Sequence, residues 1–320
     1  MTYVYLQLVA GFIYLLGGGD LLVRGAVALS RRFRVPSAFV ALVVVGLGTS
    51  LPELVVSVRA ATAGFPGLAL GNVVGSNIAN VLLVTGVAAI VFPLRTGDQA
   101  ARRSCTLTVA VTLLFAGLCL LDRDVSSLEG SALLAILGVG FALTLRAALK
   151  AQRETTITTP LDWVLGLPSQ LPTILFFIVT GLVVLPLGAD LLVDAAVQVA
   201  DRFGVSETVV GLSVVAVGTS LPEVATTIVA GLRRRASMVV GTVAGSNLFN
   251  ILGIMGTAAV VSPTPIPVSG RFIALDLPVM LAASVVLAAF TWLRKPISGR
   301  AGIALVTVYV AYLAVLYLAV

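Results

Sequence analysis

Apolar residues along the chain form long runs that are separated by short polar stretches. Ten of these runs are long enough to cross a bilayer, since a transmembrane helix needs about 20 mostly apolar residues. Because backbone groups cannot stay unpaired in lipid, each run predicts an α-helix. The predicted spans, numbered 1 to 10 in chain order, are approximately 3–29, 36–60, 67–92, 103–121, 127–148, 171–199, 205–230, 237–261, 270–293 and 301–319.

The polar residues inside these runs recur at a constant offset of 170 residues. The segment 48–53, which reads GTSLPE, is repeated without change at 218–223. The segment 71–80, GNVVGSNIAN, recurs at 241–250 as GTVAGSNLFN, with six of ten positions identical. The sequence therefore predicts two homologous halves of five spans each.

An odd number of spans in each half makes the second half start on the opposite side of the membrane. Such inverted repeats are common in secondary transporters, whose sites lie near the midplane where the repeats meet. We therefore predict an all-α membrane protein with ten transmembrane helices in two inverted five-helix repeats. The predicted boundaries are 1–149 for the first repeat, 150–170 for a connector and 171–320 for the second repeat.

Composition supports a membrane protein and removes several other classes. Hydrophobic residues make up 59% and charged residues 11% of the chain, and the mean hydropathy is +1.11. Soluble domains are about 45–50% apolar and about 25% charged. The chain has no histidine, which excludes Ser-His-Asp catalysis and imidazole-bound zinc. The net charge of +6 does not indicate nucleic-acid binding, because no basic face interleaved with aromatic residues is present.

The basic residues are distributed unequally between the two sides of the predicted membrane. Loops after the odd-numbered spans carry fifteen of them, and loops on the opposite side carry four. The positive-inside rule then places the connector in the cytoplasm and both termini outside, in a multi-pass protein of the cell membrane. The fifteen are Arg31, Arg32, Arg34, Arg95, Arg102, Arg103, Arg146, Lys150, Arg153, Arg233, Arg234, Arg235, Arg294, Lys295 and Arg300, and the four are Arg59, Arg123, Arg202 and Arg271.

Glu53 and Glu223 occupy corresponding positions well inside spans 2 and 7. A charged side chain near the bilayer centre costs at least about 2.5–3.5 kcal/mol. A buried ion pair with arginine is one way to offset that cost, but no basic residue lies within one helical turn of either glutamate. We therefore predict that the two carboxylates bind a cation.

Each glutamate directly follows a proline, Pro52 or Pro222. Proline removes a backbone donor and interrupts the helical hydrogen bonds, which frees carbonyl oxygens upstream. Hydroxyl groups three or four residues before each glutamate share its helix face, although such groups can also bond back to their own helix. The predicted neutral ligands are the carbonyls of Gly46 and Ala216 and the hydroxyls of Thr49, Ser50, Thr219 and Ser220.

Spans 3 and 8 supply further polar side chains in a glycine-rich context that permits close helix approach. A serine and an asparagine spaced i,i+4 share one face in each span and can direct oxygens to one site. For the remaining pair, Asn77 and Asn247, we expect interhelical hydrogen bonds. The predicted ligands here are Ser76 with Asn80 and Ser246 with Asn250.

These residues offer hard oxygen ligands without sulfur or imidazole, a set that suits Ca²⁺ or Na⁺ over softer transition metals. Two carboxylates also match the charge of one Ca²⁺. No cofactor is expected beyond the transported ions.

The paired motifs GTSLPE and GSN-x-x-N resemble the alpha repeats of the sodium/calcium exchanger family, within the cation/Ca²⁺ antiporter superfamily. The resemblance covers nearly the whole chain and is to the prokaryotic ten-span type. It implies that Glu53 and Glu223 are central ion ligands. It also implies ligand roles for Gly46, Thr49, Ser50, Ser76, Asn80, Ala216, Thr219, Ser220, Ser246 and Asn250.

One feature departs from the family pattern. Sodium-coupled relatives often carry aspartate at the position of Asn80 or Asn250, and this chain has asparagine at both. Only two carboxylates then titrate in the site, which leaves open whether Na⁺ or H⁺ is the coupling ion.

These features predict a secondary antiporter, not an enzyme, that exchanges Ca²⁺ for Na⁺ by alternating access and exports Ca²⁺. Spans 1 and 6, which are long and contain glycines, are candidate sliding gates. A Ca²⁺/H⁺ antiporter is the alternative within the superfamily. The chain is expected to lie in the lipid bilayer, nucleic acid is not a partner, and a monomer is the working hypothesis.

Two further hypotheses come from different functional classes. A passive cation channel would need an oligomeric filter and rings of charge, whereas a pseudo-symmetric pair within one chain favours a carrier. An intramembrane aspartyl protease is suggested by the G-x-G-D pattern at 17–20. The corresponding segment 187–190 reads LGAD, so helix packing or gate hydration is the better interpretation of Asp20 and Asp190.

Overall fold

The computed structural model describes residues 2–35, 37–154, 167–202, 216–233 and 235–318. Helices account for nearly all of its regular structure, as the apolar runs predict. The helices are α1 (Thr2–Phe33), α2 (Ala41–Thr49, preceded by the single turn Ser37–Val40), α3 (Leu51–Thr62), α4 (Pro66–Val91), α5 (Gln99–Leu121), α6 (Ser127–Glu154), α7 (Leu171–Arg202), α8 (Ala216–Thr219), α9 (Leu221–Leu232), α10 (Ala236–Val261), α11 (Phe272–Trp292) and α12 (Gly299–Leu318), and the strands are β1 (Asp124–Val125) and β2 (Ile266–Pro267).

The helices reproduce the predicted spans. Within the described residues, eight helices are long and apolar enough to cross a membrane, and α2 with α3 forms a ninth span bent by 47°. Predicted span 7 is described from Ala216 onward as α8 and α9, and its part at 205–215 lies outside the described residues. Helix α6 extends to Glu154, into the predicted connector 150–170, and residues 155–166 lie outside the described residues.

The structure places α4 and α10 at the centre of the molecule. In an apolar 18-residue stretch of each helix, 78% is buried in α4 and 89% in α10, whereas 39% is buried in the long helix α1. The two helices α1 and α7 pack along each other outside this core. Their backbones come so close that a Cβ added at Gly181 would lie 2.8 Å from the carbonyl oxygen of Gly18.

Both spans that carry the GTSLPE motif are interrupted at its serine. Ser50 has φ −87° and ψ 7°, and Ser220 has φ −89° and ψ 0°, so neither residue continues the helix. Pro52 and Pro222 each lie in the first turn of the helix that follows. Backbone N–H groups in a first turn have no acceptor within the helix, so proline there costs no helical hydrogen bond. The interruption predicted from the prolines is confirmed.

Four π-helical segments occur in the described residues: Ala41–Val45, Asn80–Val84, Asn250–Met255 and Phe272–Asp276. The second and third begin at corresponding asparagines of the two repeats. A π turn widens the helix locally and is frequent at functional sites. The pattern of apolar residues does not predict these segments.

Two short backbone pairings connect loops of opposite repeats. Strand β1 pairs antiparallel with β2, with Asp124 opposite Pro267, and a single bridge joins Leu94 to Ile297. The helical prediction did not include these pairings, because segments of one or two residues leave no periodic pattern. They hold the ends of the peripheral helices α5 and α11 together around the core.

Candidate ion-binding site

The two glutamates lie at the centre of the molecule, in the first turns of α3 and α9. They are 2% and 1% exposed. Ser50 from the first repeat donates a hydrogen bond of 3.4 Å to Oε1 of Glu223 in the second repeat. The carboxylates of Glu53 and Glu223 are also close enough to interact electrostatically. The structure therefore brings the predicted pair together from the two halves of the chain.

The position of each carboxylate follows from the break that precedes it. Because the helix restarts at Leu51 and Leu221, both glutamates lie next to helix N-termini with unpaired N–H groups. The positive end of a helix dipole stabilises a carboxylate there, by typically 0.3–1 kcal/mol. This effect is small beside the cost of burying two negative charges.

Several buried polar atoms around the glutamates have no hydrogen-bond partner in the described part of the chain. Most buried polar atoms in proteins are paired, so a cluster of unpaired ones needs an explanation. Oxygen atoms predominate in the cluster, and oxygen atoms are what hard cations bind. The unpaired atoms are Oε2 of Glu53, Oε2 of Glu223, Oδ1 of Asn77, Oδ1 of Asn80, Oγ of Ser220 and both Oδ1 and Nδ2 of Asn250.

The asparagines of α4 and α10 meet where the two helices cross. Asn80 donates through Nδ2 to Oδ1 of Asn247 at 3.0 Å, and Asn247 donates through Nδ2 to the carbonyl oxygen of Asn77 at 3.3 Å. The interhelical role predicted for Asn247 is confirmed. The amide of Asn77 instead donates to Val73 of its own helix at 2.7 Å. With its nitrogen held, Asn80 keeps its oxygen free.

The carbonyl of Gly46 lies at a second contact between the repeats. Its oxygen accepts a hydrogen bond of 3.0 Å from Ser246. The contact requires glycine, because a Cβ at Gly46 would lie 2.9 Å from the backbone nitrogen of Ser246, and one at Gly245 would lie 2.4 Å from the carbonyl oxygen of Leu42. This close crossing brings two predicted ligands together.

The remaining predicted ligands are less fully determined. Thr49 donates to Val45 of its own helix at 3.0 Å, which is the back-bonding alternative. Ser76 is buried in α4, and Thr219 is partly buried next to the break at Ser220. Ala216 begins α8, and only its backbone is described.

Residues outside the predicted ligand set also support the glutamates. Asn72 donates to the carbonyl oxygen of Glu53 at 3.2 Å and to Ser57 at 2.9 Å, and so ties α4 to α3. In the second repeat, Thr227 donates to the carbonyl oxygen of Glu223 at 2.8 Å. Asn72 stands within the repeated segment 71–80, but its counterpart is Thr242, so the repeat alone did not mark it.

Ion pairs in the described residues lie away from the glutamates. Asp20 on α1 pairs with Arg24 at 2.7 Å and with Arg233 at the end of α9, whose Nε is 2.8 Å away. The hypothesis that arginine neutralises the buried glutamates therefore finds no support. Asp20 pairs with arginine, whereas an aspartyl protease requires two facing carboxylates. The pair joins α1 to the end of α9, in keeping with the packing role expected for Asp20.

Comparison with protein families and known proteins agrees with this architecture. The family model for the sodium/calcium exchanger protein matches residues 3–146 and 173–318, one segment in each repeat. The inner membrane protein YrbG of Escherichia coli K12 is 34% identical over 314 residues, covering 97% of this chain and 95% of that protein. The sodium/calcium exchanger MaX1 of Methanosarcina acetivorans is 29% identical over 349 residues, covering 99% of both chains.

A solved structure extends the similarity to three dimensions. The sodium-calcium exchanger NCX_Mj, soaked with zero Na⁺ and Ca²⁺, aligns with a TM-score of 0.82 and 28% sequence identity, covering 98% of this chain and 99% of that one. Sequence and structure thus agree over nearly the full length and across both repeats. The chain belongs to the sodium/calcium exchanger protein family.

Proposed function

We propose that this protein is a secondary antiporter that exchanges Ca²⁺ for Na⁺ across the membrane by alternating access. The observation that carries the proposal is the buried cluster of unpaired oxygens contributed by both repeats, with Glu53 and Glu223 among them. A cation supplies the missing partner for such a cluster, because burying unpaired carboxylates without compensation is costly. The sodium/calcium exchangers among its relatives support the same assignment.

The ligand set of this proposal combines two charged and several neutral oxygens. Glu53 and Glu223 supply the negative charge. Ca²⁺ takes about six to eight oxygen ligands, so hydroxyl, amide and carbonyl oxygens would complete its coordination. The neutral ligands are Gly46, Thr49, Ser50, Ser76, Asn80, Ala216, Thr219, Ser220, Ser246 and Asn250.

Exchange follows from the charge of the site. Two buried carboxylates without a cation are unfavourable in a low-dielectric cavity, so the protein crosses between its two open states only when they are neutralised. One Ca²⁺ neutralises the pair, and so do Na⁺ ions that bind the same oxygens. The two ions therefore compete for one site and move in opposite directions.

The gating elements of the proposal are α1 and α7. Each has 32 residues, they pack along each other, and they surround a core that holds the site. With 1–149 and 171–320 as the two inverted repeats, motion of these helices against the core exposes the site to one side at a time. The positive-inside rule puts the connector 150–170 in the cytoplasm and the termini outside, so an inward Na⁺ gradient drives Ca²⁺ export across the cell membrane.

Proton coupling is the second candidate function, and the observation that favours it is the small number of charged groups in the site. Among the described residues, no third acidic side chain joins Glu53 and Glu223 in one cluster, so these two glutamates carry the negative charge of the site. Two protons neutralise two carboxylates as completely as one Ca²⁺ does. A pH gradient would then replace the Na⁺ gradient as the driving force.

A tracer flux assay in proteoliposomes tests the proposal. We expect Ca²⁺ uptake by the wild type to depend on an opposing Na⁺ gradient and to be lost in Glu53→Ala and Glu223→Ala. Asp122→Asn, which removes an exposed carboxylate, is the matched control and should transport normally. Uptake driven by a pH gradient alone identifies the proton antiporter. Flux that needs no counter-ion gradient identifies a channel, and normal uptake by either glutamate variant refutes the site.

A further inference from the structure

A cavity of about 480 Å³ opens between the first two turns of α5 and the end of α11, and neither glutamate lines it. Two of its residues are arginines, one is tryptophan, and none is acidic. The lining residues are Gln99, Arg102, Arg103, Thr106, Leu107 and Trp292.

The side chains of this cavity are held in place by contacts with one another. The guanidinium carbon of Arg102 lies 5.8 Å from the ring centre of Trp292, a cation–π contact. The indole N–H of Trp292 donates to the hydroxyl of Thr106 at 2.9 Å. These contacts connect the two helices and fix one wall of the cavity.

The positive charge of the cavity is uncompensated within the described residues. Neither Arg102 nor Arg103 forms an ion pair there, and Nε of Arg102 is buried without a hydrogen-bond partner. The nearest acidic residue along the chain, Asp98, accepts from the backbone N–H of Ala100 at 3.2 Å as the N-cap of α5. An anion with several acceptor oxygens, such as a phosphate diester, satisfies guanidinium groups of this kind.

The cavity lies where helix ends meet the lipid surface. Trp292 is 58% exposed, and the neighbouring Leu107 and Leu293 are exposed as well. Tryptophan near the ends of membrane helices marks the interface between headgroups and acyl chains. The site thus offers cations for a headgroup and apolar side chains for the chains attached to it.

The inverted repeat provides an internal comparison. At the offset of 170 residues, Arg102 and Arg103 correspond to Phe272 and Ile273, and Trp292 corresponds to Asp122. The helices α5 and α11 pack together through both ends, so the fold itself does not require cations at this position. The second repeat therefore has no counterpart of this pair of arginines, and the first repeat has none of the tryptophan.

We propose that this cavity binds the phosphate headgroup of an anionic phospholipid in the leaflet it faces. Basic pockets between transmembrane helices recognise anionic headgroups in this way. Arg102 and Arg103 bind the phosphate, while Leu107 and Trp292 contact the start of the acyl chains. The exposed apolar rim selects a lipid over a free phosphate ion.

Tryptophan fluorescence gives a direct test. The chain has two tryptophans, so Trp163→Phe leaves Trp292 as the sole reporter. In vesicles that contain brominated phosphatidylglycerol or brominated phosphatidylcholine, we expect Trp292 to be quenched preferentially by phosphatidylglycerol. Each arginine near an anionic headgroup contributes about a fivefold preference. Arg102→Ala with Arg103→Ala should therefore lower the preference by roughly tenfold or more.

A charge-matched control separates the cavity from the general surface charge. Arg146→Ala with Arg300→Ala removes two exposed basic residues from the same side of the membrane and should leave the lipid preference unchanged. Arg102→Lys with Arg103→Lys keeps the charge and should retain part of the preference, so the proposal can be tested even if the alanine variant does not fold. An equal loss in the control, an unchanged preference in the alanine variant, or displacement of the phosphatidylglycerol by inorganic phosphate would each overturn the proposal.

Discussion

The two repeats carry the same residues to the centre of the molecule, yet they connect them differently. Ser50 of the first repeat donates to Glu223, whereas the corresponding Ser220 of the second repeat has no partner for its hydroxyl among the described residues. Asn80 donates to Asn247, whereas the corresponding amide of Asn250 is unpaired in the same part of the chain. In both comparisons, the residue of the first repeat donates a hydrogen bond to the second repeat, and its counterpart in the second repeat donates none among the described residues.

This difference shows that a symmetric sequence does not require a symmetric structure. In a carrier with inverted repeats, the two halves must differ at any moment, since the site is open to one side at a time. The unpaired groups of the second repeat, Ser220 and Asn250, are those free to change partners. In the first repeat, the Ser50 hydroxyl and the amide nitrogen of Asn80 are held by bonds to the second repeat.

The largest expected effect tests what the repeats share. Glu53→Gln and Glu223→Gln should each lower Ca²⁺ exchange by roughly 100-fold or more, because one remaining carboxylate cannot balance a divalent cation at a buried site. The double variant should be no worse than either single one, since groups that act as a unit are not additive. Tracer flux in proteoliposomes measures all three. Losses that multiply in the double variant would show that the glutamates act separately.

The second prediction concerns corresponding glycines. A Cβ at Gly245 would lie 2.4 Å from the carbonyl oxygen of Leu42, whereas one at Gly75 would meet no atom of the described residues within 4 Å. Gly245→Ala should destabilise the protein by about 3 kcal/mol, the upper range for overpacking, and Gly75→Ala should have little effect. Thermal unfolding in detergent compares the two variants. Equal stability of the two variants would contradict the tight backbone contact between Gly245 and Leu42.

A third comparison uses the asparagines that support the site. Asn247→Ala removes the acceptor that orients Asn80, while the corresponding Asn77→Ala removes an amide that bonds within its own helix. Loss of a residue that orients a ligand typically costs about 10–100-fold in metal affinity. We expect Asn247→Ala to weaken Ca²⁺ binding by about that factor and Asn77→Ala by a few-fold. Isothermal titration with Ca²⁺ checks the order, and the reverse order would contradict it.

The smallest effect is expected at the ion pair between Asp20 and Arg233. The residue corresponding to Arg233 is Ala63, so Asp190 cannot form the same pair. The pair joins α1 to the end of α9 and is partly exposed, with side chains 30% and 20% accessible. Arg233→Ala should therefore change the ratio of half-saturating Ca²⁺ on the two membrane faces by roughly two- to fivefold. Arg233→Lys should restore most of the ratio, and no change in Arg233→Ala would leave the pair without a role in gating.

The sequence predicted the helices and the central pair because both leave strong patterns. Long apolar runs define the spans. Inside them, the exact repeat of one segment with a proline and a glutamate marks residues that lipid disfavours. The helix interruptions followed from Pro52 and Pro222. Their location at Ser50 and Ser220 was visible only in the structure.

The features that could not be predicted depend on contacts between distant segments. Asn72 is an ordinary polar residue until α4 is packed beside α3, and the pairing of Asp20 with Arg233 joins residues 213 apart. The π turns at Asn80 and Asn250 likewise have no simple sequence signal. Hydrophobic periodicity describes single helices, whereas these features arise where two helices meet.

The bond from Ser246 to the carbonyl of Gly46 has a consequence for how the protein is made. Translation delivers Gly46 and Glu53 to the bilayer long before Ser246 and Glu223 leave the ribosome. The first half must therefore enter the membrane with its acidic residue still lacking the neighbours that later surround it. A nascent chain stopped at the connector would contain five spans and half of the ion-binding residues, so assembly of the centre is a late event in biogenesis.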